Sequence, residues 1–394
     1  MRRLHRTVAL ITIFFGLYVG ITGTLLQLTD LRSILGHAPS NDPNVQAIRD
    51  GRDGPPNFQV LTDGDFDATA LPPDFDFDRA LATVVGAARS AAAGAPLGFV
   101  ELRVTDGRPV GQAAIAGRLL RFDAASGALL TDPQAAPSAR LPPAGNRQSL
   151  RNTLKNIHRM TAFGNTTTIL FFLLGLTLFV MIASGLTLYF QLWRARLRIK
   201  RGAPFWFAGG WWRSLHRACA IGAALCLAWV AVTGLLCAVG SLGVALYRFQ
   251  TDGVRPGLTR DMSSPLRDAE LPAMLHTTLT AFRAAGDDAT IKVLRLRYFA
   301  GMPQGVVVYG NSDTRQMAIN AATGRRASFS GPGYPRTGQT FGWQGDQLLK
   351  GLHRGDFIGM TGRWLSLATG LSLLFLSVSG AVLYIGDRRR RKAR

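Results

Sequence analysis

Leu4-His5-Arg6, Ile157-His158-Arg159, Leu215-His216-Arg217 and Leu352-His353-Arg354 are four copies of one phrase, and their reading decides the fold. Each stands in front of a long apolar run. Each run then carries a hydroxyl-glycine pair: Thr22-Gly23, Ser184-Gly185, Thr233-Gly234 and Ser379-Gly380. The spacing from histidine to glycine is 18, 27, 18 and 27 residues. That alternation describes a two-helix unit written twice. The chain has only six histidines in 394 residues, so four in one phrase point to a shared task.

Composition sets the environment. Apolar residues make up 47% of the chain, charged residues only 18%, and the net charge is +21. Such a balance in a soluble protein would suggest nucleic acid. Here the basic residues cluster beside apolar runs long enough to cross a bilayer, the pattern of a membrane protein with its positive loops in the cytoplasm, and no nucleic-acid partner is expected. Cys219, Cys226 and Cys237 all lie within one apolar run without CxxC spacing, so they read as small buried filler.

In order along the chain, residues 7–29 form the first span behind Arg2, Arg3 and Arg6. The run is too long for the apolar part of a cleaved signal peptide, and no A-x-A site follows it. Residues 30–156 are a soluble segment of balanced charge, expected outside the cytoplasm. Its first part, Gly36 to Pro73, reads as irregular. Asp78 to Ala93 reads as a helix, and Phe99 to Val104, Val110 to Ala116 and Leu119 to Phe122 as antiparallel strands turning at Asp106-Gly107. Residues 157–191 hold an interfacial segment and the second span, about Thr166 to Phe190. Residues 192–213, with Arg194, Arg196, Arg198, Lys200 and Arg201, form a cytoplasmic loop. Trp206, Trp211 and Trp212 sit where interfacial aromatics belong.

The third span occupies 214–240, and 241–350 repeat the soluble pattern: a helix at Leu271 to Ala285 and strands at Ile291 to Tyr298, Gly305 to Tyr309 and Gln316 to Ile319. Residues 351–386 hold the last interfacial segment and span. Residues 387–394 are a basic tail that places the C-terminus in the cytoplasm. The expected fold is an α-helical membrane protein of four transmembrane helices in two parallel repeats, with two α+β modules outside. Repeats of equal topology are related by an axis along the membrane normal.

Such an axis brings His5 and His216 to one depth at the inner face and His158 and His353 to one depth at the outer face. Two imidazoles facing each other across an axis suit a planar tetrapyrrole iron with one axial ligand from each side. The expectation is two b-type haems. An 18-residue separation is five helical turns, a rise of roughly 27 Å, so Gly23 and Gly234 share the faces of His5 and His216 and reach the outer edge. There a missing side chain gives a macrocycle room, and Gly185 and Gly380 stand correspondingly near the inner haem. Helix breaks are expected at Phe163-Gly164 and Ile358-Gly359. Arg159 and Arg354, which topology does not explain, are candidates for haem propionates; for Arg6 and Arg217 the positive-inside rule explains the charge equally well. Small-residue packing is the competing explanation for the glycines. Zinc or copper lacks thiolate and carboxylate ligands here, while Met160 and Met360 are minor alternative axial ligands. His37 and His276 lie outside the phrase and read as ordinary surface or packing residues.

At these residues the chain resembles the PepSY-associated transmembrane family, bacterial inner-membrane proteins that include haem-containing siderophore reductases. The matching stretches are Arg3-Leu-His-Arg6 with Thr22-Gly23, Ile157-His-Arg159 with Ser184-Gly185-Leu186, Leu215-His-Arg217 with Thr233-Gly234-Leu235, and His353-Arg-Gly355 through Gly362-Arg-Trp-Leu365 to Ser379-Gly380. The soluble segments resemble PepSY domains and would then be periplasmic. The resemblance implies haem at His5, His158, His216 and His353, and reduction of a ferric siderophore in the periplasm. No Gly-rich nucleotide fingerprint is present, so the electrons need a separate donor, quinol or a cytoplasmic flavin or NAD(P)H reductase. Two other readings remain open: a non-enzymatic membrane protein whose modules bind or inhibit an envelope protease, and a haem subunit serving another protein.

Overall fold

The computed structural model describes residues 2–39, 42–49, 63–66, 68–130, 149–250, 264–285, 288–299, 302–311, 314–327 and 340–392. In chain order the elements are α1 (Arg2–Leu35), α2 (Pro43–Arg49), the single turn α3 (Asp63–Phe66), α4 (Phe77–Ala91), β1 (Leu97–Thr105), β2 (Arg108–Ile115), β3 (Arg118–Asp123), α5 (Leu150–His158) and α6 (Thr166–Leu197). They continue with α7 (Trp211–Gly222), α8 (Ala224–Gln250), α9 (Leu271–Ala284), β4 (Ile291–Phe299), β5 (Met302–Tyr309), β6 (Arg315–Asn320), α10 (Gly342–Arg354) and α11 (Gly359–Lys392). The chain divides into two compact units, residues 1–37, 149–254 and 338–394 in one and 38–148 and 255–337 in the other.

The first unit is helical. Four of its helices are long and apolar enough to cross a membrane, over Arg3–Leu35, Thr166–Leu197, Ala224–Tyr247 and Asp356–Arg389. Large apolar side chains such as Phe14, Leu173 and Leu225 are exposed, while Thr22, Gln27, Asp30, Ser184, Thr233 and Ser379 are buried. That inversion is what a hydrocarbon surround demands, because polar groups find partners only inside the bundle. Close approach of α1 to α11 depends on small residues. A Cβ on Gly20 would stand 2.9 Å from the Leu374 side chain, and Gly370 faces Thr24.

The helix breaks expected between histidine and span are present. α5 ends at His158, a 3₁₀ turn covers Thr161–Phe163, and Gly164 takes a φ of +108° before α6 begins. Likewise a 3₁₀ turn at Asp356–Ile358 separates α10 from α11. The third span differs from expectation. It is interrupted at Ala223, whose N–H bonds to the Cys219 and Ile221 carbonyls, leaving His216 on α7 and Gly234 on α8. Gly222, which costs a helix roughly 1 kcal/mol relative to Ala, weakens the chain at that point. The five-turn argument therefore applies to α1 alone.

The second unit holds one six-stranded antiparallel sheet in the order β3-β2-β1-β4-β5-β6. Each meander has the expected strands, and the Asp106-Gly107 turn has positive φ at both residues. The two meanders share a sheet, because β1 pairs with β4 with Glu101 opposite Arg295 and Leu102 opposite Leu294. A separate meander would leave each of these strands as an unpaired edge, and pairing them removes both edges at once. α4 and α9 pack on one face, where Leu81, Val84 and Leu275 meet Val100, Leu102, Ile115 and Leu294 in a common core. On the other face Arg295 is fully buried, bonding Glu101 at 2.6 Å and Asp65 at 3.1 Å.

Gly111 on β2 lies against Val84 of α4 so closely that any Cβ would overlap it, whereas Gly86 on α4 has nothing within 4 Å. Gly111→Val is accordingly expected to lower stability by about 1–3 kcal/mol through overpacking. Gly86→Ala should raise it by up to ~1 kcal/mol through helix propensity. Thermal melts of the two variants check the contrast.

A candidate cofactor site of four histidines

Each histidine of the phrase is held by the hydroxyl-glycine pair of another helix. His158 Nδ1 lies 2.8 Å from Thr22 Oγ1, and His353 Nδ1 lies 3.1 Å from Thr233 Oγ1. His5 Nδ1 lies 3.0 Å from Ser184 Oγ, and His216 Nδ1 lies 2.7 Å from Ser379 Oγ. The adjoining glycine faces the same ring. A Cβ would stand 3.3 Å from His158 Cε1 if built on Gly23, 2.9 Å from His353 Cε1 on Gly234, 3.2 Å from His5 Cε1 on Gly185 and 3.7 Å from His216 Cε1 on Gly380. The exchange is reciprocal: α1 supplies His5 to the α6 pair and receives His158, from the end of α5, on its own pair. α7 with α8 and α10 with α11 repeat the arrangement. The glycines thus make room for imidazoles of neighbouring helices, a contact that sequence spacing alone does not give.

One pair of rings faces directly, and the other two rings share a cavity. His158 and His353 have ring centres 6.5 Å apart with planes inclined at 33°. His5 and His216 line one cavity of about 500 Å³, together with Gly185, Gly380, Tyr189 and Leu227. On α5 and α10, outside the spanning helices, burial holds His158 and His353 below the ordinary imidazole range, so both rings are neutral and able to bind a metal. Among the described residues no three His, Cys, Asp or Glu side chains converge on one point.

Arg159, Arg354 and Arg217 have protein partners. Arg159 Nη2 donates to Ser241 Oγ at 2.8 Å. Arg354 pairs with Asp356 at 2.6 Å. Arg217 donates to the Trp206 and Ala208 carbonyls, and both it and Arg196 lie over the Trp206 ring, at 4.9 and 4.7 Å. Arg6 lines the cavity of His5 and His216. Trp206 is thereby fixed to the helix ends, while Trp211 and Trp212 remain exposed.

One group escaped sequence reading. Asp30 near the end of α1 binds Arg151 of α5 at 2.6 Å and Arg363 of α11 at 3.0 Å, and Arg363 reaches Asp356 at 2.7 Å. Arg151, Asp30 and Arg363 are all buried. The series Arg151–Asp30–Arg363–Asp356–Arg354 ends one residue from His353. Gln27 donates to the Arg354 and Arg363 carbonyls at 3.2 and 2.9 Å, and Tyr18 donates to the carbonyl of Ile157, the residue before His158. α1 therefore fixes both segments that carry the facing pair. The available signal was Asp30 itself, the lone acid at the end of an apolar span.

Four apolar helices with an internal set of buried polar groups, joined in sequence to an antiparallel sheet with helices packed on it, define a membrane protein with an α+β unit. The description "PepSY-associated TM region" matches residues 2–386, essentially the whole chain, and the chain belongs to that family. No similar protein was found among curated proteins.

Proposed function

We propose that this chain is a two-haem electron carrier of a bacterial inner membrane that reduces a ferric siderophore on the periplasmic side, so that its iron is released. The observation that carries the reading is the facing pair His158 and His353. A metal–imidazole nitrogen bond is about 2 Å, so rings on opposite sides of one ion hold their centres about 6 Å apart; the 6.5 Å found fits that spacing. The cavity shared by His5 and His216 supports a second site of the same kind.

Bound at each pair, haem would supply one-electron redox chemistry. The chain's own part is binding and placement. The four imidazoles hold the two sites, the hydroxyls and glycines fix the ring planes, and apolar helix faces exclude water. Arg159 and Arg354, each next to a histidine of the facing pair, are the candidate partners for haem propionates. The basic segments 192–213 and 387–394 support cytoplasmic termini and a periplasmic soluble unit. With no nucleotide fingerprint in the sequence, the electrons come from a separate donor, quinol or a cytoplasmic flavin or NAD(P)H reductase.

The test is dithionite-reduced protein, freed of excess reductant and mixed with ferric hydroxamate and ferric catecholate chelates beside a ferrous-specific dye. Reoxidation of the protein with matching dye colour is the expected result. Protein that stays reduced with every chelate yet is oxidised by a redox protein would identify a subunit serving another protein instead.

A further inference from the structure

We infer that Thr22, Thr233, Ser184 and Ser379 fix the tautomer of the four histidines, so that Nδ1 carries the proton and Nε2 is the bare nitrogen offered to the metal. The inference deepens the proposed function and rests on it only for the identity of the metal group.

The argument is one of proton counting. A hydroxyl has one proton to donate and two lone pairs to accept with. Thr22 donates its proton to the Tyr18 carbonyl at 2.7 Å and Thr233 to the Trp229 carbonyl at 2.8 Å. Ser184 donates to the Met181 carbonyl at 3.0 Å and Ser379 to the Leu376 carbonyl at 3.2 Å. These are the back-bonds that Ser and Thr make inside a helix. With the hydroxyl proton committed to a carbonyl, each oxygen faces its imidazole as an acceptor only, and the nitrogen 2.7–3.1 Å away must be an N–H. In all four cases the atom beside the hydroxyl is Nδ1, so the lone pair is left on Nε2.

This gives the hydroxyl-glycine pair one joint purpose. The glycine lets the neighbouring imidazole approach the helix, and the hydroxyl one residue earlier then orients it and sets its proton. The hydroxyls are positioning residues, acting on the metal through the imidazole, like the partners that orient histidine ligands in other metal sites.

The test uses the full-length chain, labelled with ¹⁵N- and ¹³C-histidine in lipid bilayers, observed by solid-state NMR in haem-free and haem-loaded forms. The variants are the double T22V/T233V, which is isosteric, and T22S/T233S, which restores a hydroxyl. The expected result for the haem-free wild type is four rings in the Nδ1–H form. In T22V/T233V two of them should lose that form, and haem affinity at the outer site should fall roughly 10–100-fold, with both properties recovered in T22S/T233S. Wild-type rings in the Nε2–H form, or a valine variant with unchanged tautomers and unchanged affinity, overturn the inference while leaving haem binding intact. A valine variant that loses the Nδ1–H form in a protein that binds no haem would support the tautomer assignment and refute the proposed function.

Discussion

The His158→Ala/His353→Ala protein is expected to carry one haem per chain with the parent's spectrum where the parent carries two, and His158→Ala/His5→Ala is expected to keep no haem with the parent's spectrum. The difference follows from the pairing. Removing both members of a facing pair empties a single site, whereas removing one member from each pair damages both. Single-residue variants report the same logic through the optical spectrum. Loss of one imidazole converts a six-coordinate, low-spin iron to a five-coordinate one or releases it, and His158→Ala and His353→Ala should change the same spectral component. If His158 instead shared its component with His5, the arrangement of pairs described above would be wrong.

The second large effect concerns the buried charges of α1. Asp30→Ala leaves the guanidinium groups of Arg151 and Arg363 facing each other without the carboxylate that lies 2.6 and 3.0 Å from them. Removing one partner from a buried ionic group costs about 3–5 kcal/mol, most of it the desolvation of the charges left behind. Against a total stability of about 5–15 kcal/mol for a typical domain, that loss should appear as a large fall in the thermal midpoint of the purified protein. Arg151→Met added to Asp30→Ala should recover part of it, because one stranded charge is then gone. Equal midpoints for Asp30→Ala and the parent would mean that the network is solvated. Because the series reaches Arg354, beside His353, the variant should also weaken haem binding at the His158–His353 pair more than at His5 and His216, which haem titration of the same preparations would register.

Much of this architecture was legible in the chain. The four spans follow from apolar length, and the helix breaks before α6 and α11 follow from Gly164 and Gly359. The strands of both meanders follow from their alternation and their turns. What could not be read was long-range. Nothing in either meander specifies that Glu101 faces Arg295, so the fusion of two modules into one sheet was invisible. The hydroxyl-glycine pairs were recognisable as a repeat, but not as partners of histidines on other helices. Interruptions at Ala223, Gly164 and Gly355 reset the rotational phase that spacing arguments need. Asp30 and Arg363 look like isolated charges in the sequence, and only the packing of α1 on α5 and α11 gives them partners.

The central claim is that each histidine pair holds one haem, and its most direct measurement is a pyridine haemochrome count on purified full-length protein expressed with adequate haem. Two b-type haems per chain with low-spin Soret and α bands is the predicted result. A colourless protein, correctly folded by its thermal transition and without those bands, would contradict it.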